Sequence, residues 1–541
     1  MANQMLWYEE MPEIFNRERK IMREKGFTLK IINKTVEFSG RSKILPEYPL
    51  RVIYPEGFPS FPPTVISDVG DELLLVKHQR KLSKVLCCFG FSSERWRANL
   101  TAREVIHEAE DLIANYSPQT FEPEYAVQDD VPEPIINEYD YSRGGLLIPL
   151  PFGDLKVSEI PNKSKGYMRV DPQSKRGILK SIISEECQFD LHSGYEKWFG
   201  KSPLNKVEIF RVDTPPPLRS DDVQKWLADQ KIRVQKKNNN QFIFFVFEDE
   251  WGTSGNKRLA WIGLKITQEK FEWIQCYLVS TDDSEIRTPT GKFLSDKKVT
   301  VIGVGSLGSL VATTLAQEGI KNFSLIDYDE YEPSNAIRHQ VKQSYFGTFK
   351  VIGVKHRIQD LSPTTKVIPI IGVIGGRNHI EVQHQIQESL ISSDIIIDTT
   401  GEHSVTHYLN RFCVKNKQPL IIGSVTNGAW SAEVINYIPG SSGCWGCWHH
   451  SHGHHTPPGA PLNGKQFAPG CDQPTFIGGV SSVNIASGLI AQRTIDTLLN
   501  KNIDEKHYII WSEKDHEGNR SYSVNHFENP RLDSCGICND N

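Results

Sequence analysis

The feature that most constrains the fold is a glycine-rich turn between a short strand and a helix in the C-terminal half. The segment VTVIGVG is an apolar, largely β-branched run, and Gly303, Gly305 and Gly308 spell G-x-G-x-x-G at its end. A helical stretch and a second apolar strand, FSLIDYD, follow. Strand, glycine turn, helix and strand in this order predict a parallel βαβ unit.

This turn predicts a nucleotide site, but the glycines alone do not identify the nucleotide. Glycine permits the tight turn and lets a phosphate or ribose approach the backbone, while the helix N-terminus favours negative charge. Asp327 follows Gly308 by 19 residues, where a carboxylate can accept hydrogen bonds from ribose hydroxyls. At this level the motif fits NAD as well as ATP.

Polar residues downstream of the turn make the pattern more specific. In chain order they are Asp327, Asp329, Ser334, Asn335, Arg338, Gly347 and Lys350. This spacing resembles that of the ThiF/MoeB superfamily of adenylating enzymes, which includes the activating enzymes of ubiquitin-like systems. The resemblance implies that Asp327 holds the ribose of ATP. It also implies that Asn335, Arg338 and Lys350 hold the triphosphate, where fixed cations would stabilise the negative charge that develops during adenylation.

The family pattern also contains a later aspartate that is associated with Mg²⁺. It occupies the last position of a D-x-T-D run, and this sequence has Gly401 there. Asp398, which begins the run, and Glu402, which follows it, are the two carboxylates that could take over. We therefore expect Mg²⁺ as a cofactor and Asp398 as part of the ATP site, with Glu402 as the alternative ligand.

Two Cys-x-x-Cys pairs predict a metal site. The cysteines are Cys444, Cys447, Cys535 and Cys538. Two thiolate pairs form the tetrahedral set that Zn²⁺ prefers, and a closed four-thiolate site is usually structural. The resemblance to ThiF/MoeB proteins places such a zinc in the same region, where it pins the C-terminus to the adenylation domain.

A stretch rich in proline and glycine separates the two pairs and carries Cys471. This composition predicts a loop. In the activating enzymes that the chain resembles, a loop at this point carries the cysteine that takes the activated acyl group as a thioester. The resemblance therefore implies that Cys471 is a nucleophile, and the alternative is an exposed thiol without a role.

The N-terminal segment resembles ubiquitin-conjugating enzymes. After the stretch GFPSFPPTV, ten residues lead from His78 to Cys88 and eight more to Trp96. The resemblance implies that Cys88 is the transfer cysteine, with Cys87 as the alternative. The family's His-Pro-Asn reads His-Gln-Arg here, so Arg80 occupies the position of an asparagine that would stabilise the oxyanion.

These features predict a multidomain α/β protein. Its predicted parts are a ubiquitin-conjugating-like α+β domain at residues 1–120, a linker at 121–143, a middle α+β domain at 144–290, and a ThiF-type Rossmann-like adenylation domain at 291–541. The linker is predicted from the prolines and acids of residues 117–140, a stretch that contains no Lys or Arg. We find no catalytic pattern in the middle segment and interpret it as a scaffold.

This order of domains resembles the activating/conjugating fusion proteins of bacterial antiphage operons, and most closely the fusion associated with CBASS systems. The resemblance implies ATP-dependent activation of a partner's C-terminal carboxylate, for example that of a cyclic-nucleotide synthase. The acyl group would pass from Cys471 to Cys88 and then to an amine of a target, and the protein would form a homodimer. Activation of a β-grasp ubiquitin-like or sulfur-carrier protein is an alternative. A non-enzymatic binding protein with degenerate sites is another.

Composition limits the other classes of function. Among 541 residues, 61 are Lys or Arg and 66 are Asp or Glu, a formal net charge of −5. This near-balance argues against nucleic acid or an anionic membrane as the main partner. No apolar run is long enough for a membrane span, and the first residues lack the apolar core of a secretory signal. We therefore expect a cytoplasmic protein.

Overall fold

The structure is a computed structural model. It describes residues 6–88, 95–122, 132–234, 241–268, 270–281, 287–452, 456–461, 477–501 and 506–538. The chain divides into two compact units, Met1–Leu191 with Trp198–Val279 and His192–Lys197 with Ser280–Asn541. Among the helices of the described ranges, none has the length and apolar content needed to cross a bilayer.

The N-terminal part of the first unit is an antiparallel five-stranded sheet with three helices. Its elements are helices α1 Trp7–Glu10, α2 Pro12–Glu24 and α3 Ala102–Tyr116, and strands β1 Thr28–Ile32, β2 Thr35–Arg41, β3 Pro49–Ile53, β4 Thr64–Ile66 and β5 Val85–Leu86. The strands pair in chain order. Thr101 caps α3, because its hydroxyl accepts from the N–H of Arg103 while Glu104 accepts from the N–H of Thr101 at 2.7 Å.

The rest of the first unit is a β-barrel. Its strands are β6 Gly145–Ile148, β7 Lys163–Asp171, β8 Arg176–Ile183, β9 Gln188–Asp190, β10 Leu204–Arg211, β11 Gln241–Trp251, β12 Thr253–Ile266 and β13 Phe271–Leu278, and its helix is α4 Val223–Asp229. Strand β6 pairs with both β13 and β8, so the sheet closes on itself. The segment is therefore mostly strand, and its helical share is smaller than the predicted α+β composition.

The apolar run FIFFVF in β11 is explained by burial on both faces of the sheet. Phe244 and Val246 lie in one hydrophobic cluster, together with Trp261 of β12. Phe245 on the other face lies in a second cluster that includes Leu227 of α4. A strand covered on both sides reads as a continuous apolar run and not as an alternating one.

The second unit contains a doubly wound sheet. Its strands are β14 Lys298–Ile302, β15 Asn322–Asp327, β16 Lys366–Ile371, β17 Ile395–Asp398, β18 Leu420–Val425, β19 Ser431–Tyr437, β20 Tyr508–Lys514 and β21 Arg520–Phe527. Its helices are α5 Gly291–Leu294, α6 Ser306–Gln317, α7 Lys350–Leu361, α8 Ile380–Ser392, α9 His403–Asn416, α10 Trp445–His452 and α11 Val480–Leu498. The predicted βαβ unit is confirmed as β14-α6-β15, whose two strands pair in parallel.

The order of strands in this sheet determines where a ligand can bind. The order is β16-β15-β14-β17-β18-β19-β20-β21, parallel as far as β18 and antiparallel beyond it. The direction of winding reverses between β14 and β17. In open α/β sheets this reversal leaves a crevice at the carboxyl ends of the strands, where ligands bind.

Candidate active site

Three glycines form the turn at the point where the strand order reverses. A different structural feature explains why each of these positions is a glycine. Gly303 has a φ of +77° and sits against the backbone of Thr400, so a side chain there would be strained. A Cβ on Gly308 would overlap the carbonyl oxygen of Gly303, which means that helix α6 packs directly on the turn. A Cβ on Gly305 would meet no atom within 4 Å, so this position is open to a ligand.

A cleft opens beside this turn. Its lining residues are Ile302, Gly303, Gly305, Ile326, Asp327, Tyr328, Asp329, Lys350, Gly372, Val373, Ile374, Thr399, Thr400, Glu402 and Val405. They come largely from the carboxyl ends of β14, β15, β16 and β17 and from the start of α7. The structure thus brings together five of the residues predicted for the nucleotide site, namely Gly303, Gly305, Asp327, Asp329 and Lys350.

Asp327 is held rigidly in this cleft. One carboxylate oxygen accepts from the N–H of Val304 at 2.8 Å, and the other accepts from the N–H of Asp329, also at 2.8 Å. Burial raises the pKa of Asp327, while these backbone bonds and the charge of Lys350 oppose the rise. Each carboxylate oxygen can accept more than one hydrogen bond, so both retain capacity for ligand hydroxyls.

Lys350 supplies the positive charge of the cleft. Its Nζ lies 2.6 Å from Oδ2 of Asp329, and its side chain is 14% exposed against 48% for Asp329. Lys350 is also the first residue of α7, whose N-terminus carries partial positive charge. A cation and a helix N-terminus on one wall suit an anionic ligand such as a phosphate.

Two of the predicted triphosphate ligands are engaged elsewhere in this structure. Oδ1 of Asn335 accepts from the N–H of Glu332 at 3.1 Å, which caps a 3₁₀ turn over Pro333–Ile337. The guanidinium of Arg338 donates to the carbonyl of Gly478 at 3.2 Å. Neither residue lines the described cleft. Their contacts with a triphosphate stay predictions.

The two carboxylates considered for Mg²⁺ have different environments. Asp398 is 1% exposed, and it accepts from Thr406 Oγ1 at 2.6 Å and from Thr400 through both its N–H and its Oγ1. Burial raises the pKa of Asp398. Its bonds shape the turn after β17, whereas Glu402 lines the cleft. The geometry therefore favours Glu402 over Asp398 as the carboxylate that meets a ligand or a hard cation.

His339 is a residue of the site that the sequence did not reveal. The side chain is buried, its Nε2–H donates to the carbonyl of Val304 at 2.8 Å, and its Nδ1 accepts from the N–H of Val341 at 3.2 Å. Burial lowers its pKa from 6.5 to about 4. A neutral imidazole therefore ties the segment after β15 to the glycine turn.

We expect this histidine to make the second unit sensitive to mild acid. The unfolded chain takes up a proton near pH 6.5, whereas folded His339 does so near pH 4, so stability falls as pH drops through this interval. The slope from this group is at most about 1.4 kcal/mol per pH unit. Urea unfolding of the wild type and of His339→Gln across this interval should give a shallower dependence for the variant. Equal slopes would contradict the assignment.

The four paired cysteines converge as predicted. The Sγ atoms of Cys444, Cys447, Cys535 and Cys538 all lie within 4.8 Å of one another. The distance between Cys444 and Cys535 is 3.7 Å, and that between Cys447 and Cys538 is 3.6 Å. Tetrahedral Zn²⁺ with Zn–S bonds of about 2.3 Å holds its sulfurs roughly 3.8 Å apart. The donor set therefore fits a closed zinc site.

The candidate transfer thiols are placed differently. Cys471 lies outside the described residues. Cys88 packs against the hydrophobic core of the N-terminal part, whereas Cys87 lines a small cleft. Burial raises the pKa of both thiols, that of Cys87 to about 11.

The fold and the cleft define a class of protein, an α/β domain with a cleft at its glycine turn that is suited to an anionic nucleotide. Comparison with known families refines this class, because residues 283–529 match the ThiF family. The second unit thus holds a ThiF adenylation domain.

The chain also aligns over part of its length with several curated proteins. It is 28% identical over 244 residues to the uncharacterized protein y4oA of Sinorhizobium fredii, covering 42% of this chain and 40% of that protein. It is 26% identical over 261 residues to the adenylyltransferase and sulfurtransferase MOCS3 of Aedes aegypti, covering 48% and 54%. It is 26% identical over 170 residues to the ATP-dependent ubiquitin transferase-like protein Cap2 of Enterobacter hormaechei, covering 31% and 27%. The chain therefore spans about half or less of the length of these relatives.

Among solved structures, the chain is similar to Escherichia coli MccB with ATP. The TM-score is 0.36 at 22% sequence identity, and the alignment covers 46% of this chain and 68% of that one.

Proposed function

We propose that this protein uses Mg-ATP to adenylate the C-terminal carboxylate of a partner protein and then transfers the acyl group through thioesters to an amine. The observation that carries the proposal is the cleft at the strand-order reversal, where Gly305 leaves space for a ligand and Asp327 and Lys350 face it. The match of the same residues to the ThiF family supports it.

The chemistry of the first step suits the residues of the cleft. A carboxylate oxygen of the partner attacks the α-phosphorus, a P–O bond forms, and pyrophosphate leaves with the charge of the broken P–O bond. Lys350 and the N-terminus of α7 are placed to stabilise this negative charge, and Asp327 is placed to hold the ribose. Glu402, which lines the same cleft, would be the residue that holds Mg²⁺.

The second half of the proposal rests on the cysteines. Cys471 would displace AMP and form a thioester. The acyl group would then pass to one thiol of the Cys87–Cys88 pair and finally to an amine. The resemblance to conjugating enzymes specifies Cys88 as the thiol that receives it. Thiols suit such a relay because a thiolate is both a strong nucleophile and a good leaving group. The relatives named Cap2 support this reading. Antiphage defence, a cyclic-nucleotide synthase as partner and a homodimer belong to the same proposal.

The test separates adenylation from thioester formation. Wild type and Cys471→Ala are incubated with Mg-ATP and the product of the neighbouring gene, and both ATP–pyrophosphate exchange and adducts on non-reducing gels are followed. We expect exchange with both proteins and a reductant-sensitive adduct with the wild type alone.

A matched control and three outcomes make this test decisive. Cys187→Ser removes a partly exposed thiol far along the chain from Cys471 and should behave like the wild type. Exchange without any thioester would favour the activation of a sulfur carrier. Absence of both exchange and adduct, with ATP still bound, would favour a binding protein. An adduct that survives Cys471→Ala would remove Cys471 from the relay.

A further inference from the structure

The first unit contains a separate cleft, and Cys87 is one of the residues that line it. Its polar lining comes from Gln79, Arg80 and Cys87 of the N-terminal part and from Glu133, Asn137 and Glu138 of the segment that was predicted to be a linker. Residues 132–138 are therefore a folded wall of this cleft and not an extended connection. Any chemistry at Cys87 takes place against that wall.

Hydrogen bonds fix the wall on the side of the cleft. Glu133 Oε1 accepts from the N–H of His78 at 2.7 Å. Glu138 accepts from Arg80 Nη1 at 2.6 Å and from the N–H of Lys81 at 3.0 Å. Through these bonds the two carboxylates attach residues 132–138 to the loop that precedes Cys87.

The barrel holds the same wall from its other side. The carboxylate of Asp249 accepts from the N–H groups of Ile135 and Ile136 at 2.9 and 2.8 Å, which places it at the start of the 3₁₀ turn Ile135–Glu138. The position of Asn137 in the middle of this turn is thus set by contacts with both parts of the unit.

The side chains of the two neighbouring cysteines have different surroundings. The backbone N–H of Cys87 donates to the carbonyl of His78 at 2.8 Å, and its side chain lines the cleft. Cys88 is also partly exposed, but its side chain packs against the apolar core. The cleft gives an acyl donor a defined approach to the Cys87 thiol, whereas the Cys88 thiol lies against the apolar core.

Of the two side-chain amides that line the cleft, only that of Asn137 remains available to a ligand within the described residues. Gln79 is occupied, because its Oε1 accepts from the N–H of Leu75 and its Nε2 donates to the carbonyl of Ser67 at 2.8 Å. Arg80 is neutralised by Glu138. The side chain of Asn137 is exposed and makes no hydrogen bond within the part of the chain that the structure describes.

We propose that Cys87, and not Cys88, receives the acyl group and that Asn137 donates a hydrogen bond to the oxyanion formed when this thioester is attacked. The inference rests on the proposed thioester relay and specifies its second thiol. An amide N–H₂ is a suitable oxyanion donor, and here it comes from the segment outside the conjugating-like domain.

Transfer through Cys87 takes two steps. The Cys87 thiolate attacks the carbonyl carbon of the donor thioester, a new C–S bond forms, the old C–S bond breaks, and the donor thiol leaves as thiolate. An amine nitrogen then attacks the Cys87 thioester and forms a C–N bond, with negative charge on the carbonyl oxygen beside Asn137. The C–S bond to Cys87 breaks, the thiolate leaves, and the nitrogen gives its proton to solvent.

The surroundings of Cys87 favour the protonated thiol over the thiolate. Burial and the charge of Glu133 raise the pKa of Cys87, and Arg80 opposes the rise. Burial raises the pKa of Cys88 further. Of the two thiols, Cys87 is therefore the easier one to deprotonate.

The first part of the test locates the acyl group directly. The full-length protein is incubated at mildly alkaline pH with a peptide α-thioester that ends in glycine, which bypasses ATP, and the acylated cysteine is identified by peptide mass spectrometry. We expect acylation of Cys87 in the wild type and in Cys88→Ala, and its loss in Cys87→Ala. Acylation of Cys88, equal acylation of both thiols, or acylation of neither would overturn the proposal.

The second part tests Asn137. The Cys87 thioester is isolated, and its aminolysis by free lysine is timed. We expect Asn137→Ala and the isosteric Asn137→Asp to slow aminolysis of the isolated thioester at least about tenfold. Asn115→Ala, an exposed asparagine on α3, should match the wild type. Equal rates in all four proteins would remove Asn137 from the site. Because no ATP is involved, these results are independent of pyrophosphate exchange, which alone reports failure of the adenylation step.

Discussion

Replacing Lys350 by alanine is expected to weaken the binding of Mg-ATP by about 10–150-fold, as the loss of roughly 1.5–3 kcal/mol from one charged hydrogen bond implies. Lys350 is the cation that lines the cleft, and its side chain is 14% exposed. Its removal also leaves Asp327 and Asp329 without a positive neighbour from α7. Two carboxylates would then face an anionic ligand.

The fold should survive this change. The backbone N–H of residue 350 donates to the carbonyl of Asp329 at 2.8 Å whatever its side chain, and alanine is well suited to a helix. Isothermal calorimetry gives the affinity, and thermal melting checks the fold.

Lys342→Ala provides the matched control for Lys350→Ala. Lys342 also pairs with an aspartate, Asp360, at 2.7 Å, but both partners are exposed and lie away from the cleft. We expect its ATP affinity to equal that of the wild type. Similar weakening in both variants, or none in Lys350→Ala, would show that the nucleotide binds elsewhere.

The parts of the fold that local pattern determines could be predicted. Strand β14, the glycine turn, α6 and β15 follow one another within 30 residues, and each carries its own periodicity or turn signal. The closure of the barrel could not be predicted, because β6 at Gly145–Ile148 pairs with β13 at Phe271–Leu278. No local pattern specifies a partner that lies more than a hundred residues away.

The same distinction applies to the nucleotide site. The spacing from the glycines through Asp327 to Lys350 predicted residues that the structure brings into one cleft. The role of His339 had no local signal, since its partner is the carbonyl of Val304 in the preceding turn. The structural role of Asp398 did have a local sequence signal. An aspartate two residues before a threonine favours a turn in which the carboxylate accepts a hydrogen bond from the backbone, as Asp398 does here.

The metal prediction has the largest expected effect on stability. Cys447 is buried, its Sγ lies 3.6 Å from that of Cys538, and it accepts from the N–H of Leu532. The four thiols join α10 to the C-terminal segment that follows β21. We expect the purified protein to contain one equivalent of zinc per chain and Cys447→Ser to contain much less.

Loss of the metal should destabilise the second unit. Structural zinc binds to its folded site with about 10–16 kcal/mol, which is comparable to the 5–15 kcal/mol that stabilises a typical domain. Even a quarter of that binding energy would lower the melting temperature by about 10 °C in a unit of this size. Cys187→Ser, which removes a thiol outside the set, should retain the metal and melt with the wild type. Because the four thiols are the only metal-ligand cluster among the described residues, a Cys447→Ser protein that keeps its zinc and its melting temperature would contradict the assignment.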